Sequence, residues 1–104
     1  MEPKARWVFG DFNGLFGEIL CLSHRETCER FDGTAVVLSG GMVLTAFQED
    51  GDENGNRDDI LATGTVEPSP DWLQCVGSRW ILRIDGDGIR WESDLQKSTG
   101  AAPP

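Results

Sequence analysis

The sequence predicts one mostly β domain, a small barrel or roll of about six or seven short strands with one short helical segment. Three observations support this fold class. Apolar and polar residues alternate in several segments, the apolar runs are short, and dipeptides such as Asn-Gly and Asp-Gly separate them. Because this alternation has a period of two residues, one face of each strand points toward a core. We therefore expect a curved sheet around a single core.

Chain length and composition fit one domain. The chain has 104 residues, of which 38% are hydrophobic, and it includes four Trp and five Phe. This supply of apolar side chains suffices for one core. We expect the domain over residues 6–95, with flexible tails at 1–5 and 96–104, because the final segment "KSTGAAPP" has no large apolar side chain.

A first hairpin is predicted near the amino terminus. The segments "RWVFGDF" and "LFGEILCLS" flank Asn13-Gly14, a strong turn signal, and this turn would pair Val8 with Ile19. A helix is the alternative for residues 14–22, because apolar residues recur there at helical spacing. Glycines at positions 14 and 17 disfavour that helix, so strands are the preferred interpretation.

The helical segment is predicted in "SHRETCERFDG", because Ser23 and Glu26 match a capping box and Gly33 would end the helix. Strands follow in "TAVVL", "MVLTAFQE" and "DILATGTVE". Pro68 and Pro70 exclude an interior strand from "PSPDW", where we expect a short 3₁₀ turn instead.

A second hairpin is predicted near the end of the domain, with its turn at Gly86-Asp87. Alternation on both sides of this turn would produce a single buried face. That face would carry Trp80, Leu82, Ile84, Ile89 and Trp91. SH3-like and OB-like barrels resemble this series of short strands and tight turns, and the chain contains no motif that distinguishes the two.

The charge of the chain limits its partners. The net charge is −9, which repels nucleic acids and anionic membranes and attracts basic proteins or metal cations. No apolar run reaches the roughly eighteen residues of a membrane span, and no signal-peptide core is present. The protein is therefore predicted to be cytoplasmic, and Cys21, Cys28 and Cys75 are expected to be free thiols there.

Catalytic signatures are absent from the sequence. The common motifs for acyl transfer, phosphate binding and zinc-dependent hydrolysis do not occur. The single histidine, His24, limits acid–base chemistry to carboxylates and thiols. A zinc site could use His24 and the three cysteines, but the paired C-x2-C spacing of common zinc sites is missing. We therefore expect a non-enzymatic protein without a cofactor, unless it binds calcium.

The segment 49–59 is the most distinctive part of the sequence. It contains six carboxylates, the strand context is "LTAF" before it and "DILA" at its end, and Asn54 and Gly55 suit a hairpin loop. Such a loop would present negative charge to a basic partner protein. The residues expected to contact that partner are Glu49, Asp50, Asp52, Glu53, Asp58 and Asp59.

A calcium site is the alternative for the same loop. Its pattern D-x-D-x-N-G-x-x-D resembles the start of an EF-hand loop and, because strands flank it, more closely the calcium loops of integrin β-propeller blades. The resemblance implies that the metal ligands are Asp50, Asp52, Asn54 and Asp58. Leu61 stands where the closing glutamate of an EF-hand would be, and Arg57 adds a positive charge within the loop.

The preferred function is therefore a small acidic binding module that presents loop 49–59 to a basic partner, as an inhibitor or immunity protein would. Two structural observations would separate this function from calcium binding. An exposed aromatic patch beside the loop would favour a protein partner. Carboxylate oxygens that converge on one point would favour calcium.

Overall fold

The structure is a computed structural model that describes residues 3–12, 15–23, 25–70 and 79–95. A 3₁₀ turn spans Lys4–Arg6, and one helical turn spans residues 92–95. The strands of the described residues are β1 (Val8–Phe9), β2 (Leu15–Phe16), β3 (Ile19–Ser23), β4 (Thr27–Glu29), β5 (Ala35–Val37), β6 (Val43–Gln48), β7 (Ile60–Pro68), β8 (Trp80–Ile84) and β9 (Arg90–Trp91).

Most of these strands form one curled sheet with the order β1-β6-β7-β8-β3-β2, and β9 pairs with β7. A separate two-stranded sheet consists of β4 and β5. The sheet curls into a half-barrel, so the prediction of a small, mostly β barrel or roll with one short helical segment is confirmed. The central strand is β7, whose nine residues pair with β6 on one side and with β8 and β9 on the other.

The main core lies inside the curl, and alternate residues of the long strands supply it. Leu44 and Ala46 of β6, Ala62 of β7 and Leu82 and Ile84 of β8 belong to this cluster. Leu82 is fully buried, so the predicted inner face of β8 is confirmed. At Gly64 a Cβ atom would collide with the carbonyl oxygen of Arg83, so only glycine lets β7 and β8 approach this closely.

The predicted hairpin between the last two strands is wrong. A turn does form, since the Gly88 N–H donates to the Asp85 carbonyl at 3.1 Å. However, β8 and β9 both pair with β7, where Ile84 lies opposite Gly64 and Arg90 lies opposite Leu61. Strands β8 and β9 therefore lie along the same side of β7, and residues 85–89 form a loop between them. Ile89 packs against the main core, whereas Trp91 stays 40% exposed and leaves the predicted face.

The first hairpin also differs from its prediction. Strand β1 runs parallel to β6, with Val8 opposite Ala46, and therefore does not face Ile19. The hairpin instead joins β2 to β3 through Gly17-Glu18, and Gly17 adopts a φ of +62° that suits glycine at such a turn. Strands rather than a helix are confirmed in this segment. The Asn13-Gly14 turn lies outside the described residues.

A hairpin replaces the helix predicted in "SHRETCERFDG". The Ser23 hydroxyl donates to the Thr27 carbonyl at 2.8 Å and accepts the Arg25 N–H at 3.0 Å, so it closes a turn rather than capping a helix. Strand β4 then pairs with β5. Gly33 takes a φ of +89° in the connecting turn. The structure places its helical turn at residues 92–95 instead.

The three cysteines are not all free thiols, so that prediction is wrong. Cys21 is disulfide-bonded, whereas Cys28 is a free and buried thiol. Burial raises the pKa of the Cys28 thiol, and a hydrogen bond with Ser23 offsets part of this rise. Cys75, the third cysteine of the sequence, lies outside the described residues.

Candidate functional site

The acidic loop extends the hairpin of β6 and β7 beyond the last paired residues of the sheet. The Asp58 N–H donates to the Asp50 carbonyl at 2.9 Å, and Gly51 bridges to Arg57. The two arms of the loop therefore remain paired, as in a strand ladder. We call residues 49–56 the loop tip and residues 57–59 the loop base.

Asp52 closes the end of the loop tip. Its Oδ1 accepts the N–H groups of Asn54 and Asn56, both at 2.9 Å. The Asp52 carbonyl accepts the Gly55 N–H at 3.1 Å, and Gly55 has a φ of +84°. A short acidic side chain that binds the backbone of its own turn stabilises that turn. One carboxylate oxygen of Asp52 therefore has a structural role within the tip.

The paired arms place the side chains of the loop on two faces. Because residues directly opposite each other share a face, Glu49, Arg57 and Asp59 lie on one side. Asp50 and Asp58 lie on the other side. The first face continues the outer side of the sheet, and the second continues the side that holds the main core.

On the outer face, Asp59 is fully buried at the loop base. Arg57 donates to both of its carboxylate oxygens, through Nε at 2.8 Å and Nη2 at 3.1 Å. Lys4 Nζ lies 3.3 Å from the Asp59 carboxylate and 2.9 Å from that of Glu92. Lys4 was predicted in a flexible tail, but it forms part of this cluster. Because its side chain is buried, Asp59 is not available to contact a partner, contrary to its prediction as a contact residue.

The ionisation of Asp59 depends on these two cations. Burial by itself raises the pKa of the carboxyl, but hydrogen bonds from Arg57 and Lys4, together with their positive charges, outweigh it and hold the pKa below its ordinary value. The Asp59 carboxylate in turn raises the pKa of Arg57, mainly through the hydrogen bond. Asp59 is therefore an ionised anchor of the loop base.

On the inner face, Asp58 fixes the loop base to the helical turn at residues 92–95. Its two oxygens accept the Ser93 N–H and the Ser93 hydroxyl, both at 2.8 Å. The Glu92 N–H donates to the Asp59 carbonyl at 2.8 Å, which adds a backbone link. Asp58 is half-buried by this contact. Its main role is to join two segments of the fold, although the sequence predicted it as a partner contact.

The predicted metal ligands do not share one point. Asp50 accepts the Trp91 indole N–H at 3.2 Å, Asp52 turns toward its own backbone, and Asp58 turns toward Ser93. Asn54 is exposed at the tip. Within the described part of the chain, no group of three or more His, Cys, Asp or Glu side chains could hold a metal ion.

An aromatic patch lies beside the loop base on the outer face. We define it as Phe9 and Phe31, which are 43% and 40% exposed and rest on the buried ring of Phe47. Their ring centroids lie 4.5 and 5.5 Å from that of Phe47. Arg57 and Lys4 lie over the Phe31 ring at 5.8 and 5.1 Å. The number of bulky rings in the sequence indicates that one aromatic cluster is partly exposed, but the burial of individual rings depends on strand partners, so the members of the cluster could not be predicted.

No protein-family model matches the chain, and neither a curated protein nor a solved structure shows significant similarity to it. Among the described residues, no helix combines the length and apolar character needed to cross a membrane. The geometry of the loop and its surroundings is therefore the basis for a functional proposal.

Proposed function

We propose that the protein is a non-enzymatic binding module that presents the loop tip to a basic protein surface, as an inhibitor or immunity protein does. The observation that supports this most is the division of the acidic loop. Asp58 and Asp59 are held by internal contacts on one arm of the loop, whereas Glu49 and Asp50, directly opposite them on the other arm, and Glu53 in the terminal turn are exposed. The contacts at the loop base fix the positions of carboxylates that extend into solvent.

The energetics of the loop suit a cationic partner. Like charges crowded at a hairpin end repel one another, and a basic surface relieves that repulsion as it binds. Paired arms and the Asp52 turn restrict the tip before binding, so association costs less conformational entropy than it would for an unstructured loop. The proposal needs no cofactor, and the same negative charge disfavours nucleic acids and anionic membranes as partners.

The aromatic patch supports a protein rather than a small ion as the ligand. Protein interfaces are enriched in aromatic side chains near their centre and carry polar groups around them. Phe9 and Phe31 provide exposed ring surface next to Arg57, which lies 4.0 Å from the Glu49 carboxylate. A partner could therefore cover the rings and contact the tip at the same time.

Site-specific crosslinking tests this function. A photoreactive residue at position 53, in the tip, is compared with one at position 87, an exposed acidic site in the turn after β8. We expect position 53 to capture a basic protein in the source cell, and position 87 not to capture it. Equal capture at both positions would contradict a specific role of the tip.

Charge-matched variants then test the chemistry with the captured protein. Glu49→Gln with Glu53→Gln should weaken binding at least tenfold, whereas Glu29→Gln with Asp87→Asn should change it little, although both pairs remove two negative charges. Binding should also weaken as salt is added. Identical effects of the two pairs would reduce the proposal to general electrostatic attraction.

The compartment is a separate part of the proposal. The sequence predicts a cytoplasmic protein, but the cytosol keeps most cysteines reduced, so a disulfide at Cys21 favours an oxidising compartment. Alkylation of the unfolded protein, trapped directly from cells, distinguishes the two. We expect Cys28 to react before reduction and Cys21 to react only after it. Reaction of Cys21 before reduction would support the cytoplasm.

A further inference from the structure

Among the described strands, β5 pairs with β4 alone, so its other edge is open with respect to them. Its two outer residues, Ala35 and Val37, are exposed, and Val37 is 69% accessible, while Val36 between them is buried. The unpaired side of such a strand presents backbone donors and acceptors to any other strand that can reach it.

The register of the hairpin identifies the groups on that edge. The Arg30 N–H donates to the Thr34 carbonyl, and the Leu38 N–H donates to the Glu26 carbonyl. Bonded pairs in an antiparallel ladder occur at every second residue, so Val36 bonds toward Cys28 in β4. The N–H and carbonyl groups of Ala35 and Val37 consequently point away from β4, toward the open edge.

Short length is the one common protection against pairing that the sequence of this edge provides. Native edge strands are protected by short length, charged side chains, proline or bulges, and β5 has three residues. Residues 33–41 contain no charged residue and no proline, in a chain with 26% charged residues. The pairing of β4 with β5 is also regular from Thr27 opposite Val37 to Glu29 opposite Ala35.

We infer that β5 pairs antiparallel with β5 of a second copy of this chain, about a two-fold axis at Val36. In this register Ala35 of each copy lies opposite Val37 of the other, and the outward groups of both residues meet in about four hydrogen bonds. Val36 lies opposite its own counterpart, where no bond is required because its backbone groups are already used by β4. The two hairpins form one four-stranded sheet.

Charge and symmetry select a second copy over another partner. The net charge of −9 opposes self-association in general, but the uncharged segment 33–41 brings no like charges together along the shared edge. A two-fold pairing uses the β5 edges of both copies, so the assembly closes as a dimer. The inference does not rest on the proposed function, because the acidic loop begins only after Gln48, at the far end of β6.

A charged substitution at the edge tests the dimer. Val37→Lys places a blocking charge on the open edge, whereas Val43→Lys makes the same change at a valine of similar exposure, 65%, on β6. Both sites are exposed, so both variants should fold. In sedimentation equilibrium we expect the wild type and Val43→Lys to dimerise, and Val37→Lys to dimerise at least tenfold more weakly.

Hydrogen exchange locates the contact. The amide protons of Ala35 and Val37 should be protected at high protein concentration and exchange faster on dilution, whereas the Val36 amide should keep its protection at both concentrations. Val37→Lys should remove the concentration dependence at Ala35. A monomeric wild type, or an equal loss of dimer in both lysine variants, overturns the inference.

Salt separates this dimer from the proposed function. Screening reduces repulsion between two chains of charge −9, so added salt should strengthen the dimer, whereas it should weaken binding of a basic partner. Glu49→Gln with Glu53→Gln should leave a dimer that is at least as strong as that of the wild type. A dimer that disappears in this loop variant would show that the contact involves the loop rather than β5.

Discussion

Asp59 and Glu53 are carboxylates of the same acidic loop, yet their surroundings have opposite character. Asp59 is fully buried between Arg57 and Lys4 at the loop base. Glu53 is exposed at the loop tip. A run of acidic residues is therefore not one functional unit. The hairpin register and the packing beneath it decide which charges stabilise the fold and which remain available.

The largest expected effect is on stability at the loop base. Asp59→Asn removes the counter-charge of Arg57 and Lys4 and should lower the free energy of unfolding by about 2–4 kcal/mol, somewhat less than for a fully buried pair because both cations are partly exposed. Glu53→Gln is the matched control and should change it by less than about 0.5 kcal/mol. Urea unfolding measures both. Similar changes in the free energy of unfolding for the two variants would contradict the distinction between base and tip.

A smaller loss of stability is expected at Asp58, the second anchor of the loop base. Asp58→Ala removes the two hydrogen bonds to Ser93 and should cost about 0.5–2 kcal/mol, the range found for side chains that cap a helical turn. Ser93→Ala removes only the hydroxyl bond and should cost less. Urea unfolding of both variants gives the comparison. If Asp58→Ala has no effect, Asp58 belongs with the exposed carboxylates of the tip.

Low pH should reduce the contribution of the loop base to the stability of the fold. Because the pKa of Asp59 is lower in the folded protein than in the unfolded chain, its stabilisation is complete above the unfolded pKa of about 3.9 and is lost as the pH falls through the folded value. The stability difference between wild type and Asp59→Asn should therefore shrink below about pH 4. Unfolding curves from pH 7 to pH 2.5 test this. A constant difference would mean that the ion pairs contribute little.

The smallest effect is expected from divalent cations at the tip. Calcium and magnesium should cause small amide shifts of similar size in residues 48–60, because the four predicted ligands do not converge in the described structure. Backbone NMR titration with each ion measures these shifts. Large shifts specific to calcium that vanish in Asp50→Asn would instead establish a calcium site. Such shifts would also mean that part of the tip binds metal rather than a partner protein.

Several parts of the fold were predictable because they depend on neighbours in sequence. The strands at β5, β6, β7 and β8 follow from the pattern of apolar residues, and β6 and β7 pair as strands that are consecutive along the chain. The inner face of β8 follows from its period of two, as the burial of Leu82 confirms. The exposed tip also follows, since Asn, Asp and Gly residues favour turns.

Other parts depend on contacts between distant segments. Turn signals at Gly86-Asp87 identify a reversal but do not specify which strand receives the next segment, and here β7 does. The capping pattern at Ser23 has a hydroxyl that serves equally well in a turn before β4. In both cases a local preference is weaker than the backbone pairing that the sheet provides.

The alternating strands, the acidic loop between β6 and β7 and the strong negative charge can all be read from the sequence alone, because composition and periodicity are local properties. Tertiary contacts, by contrast, bring Lys4 to Asp59 and Ser93 to Asp58, and they place Phe9 and Phe31 in one patch. Each of these contacts joins residues far apart in the chain. Burial and charge pairing depend on distance in space, which no local pattern encodes.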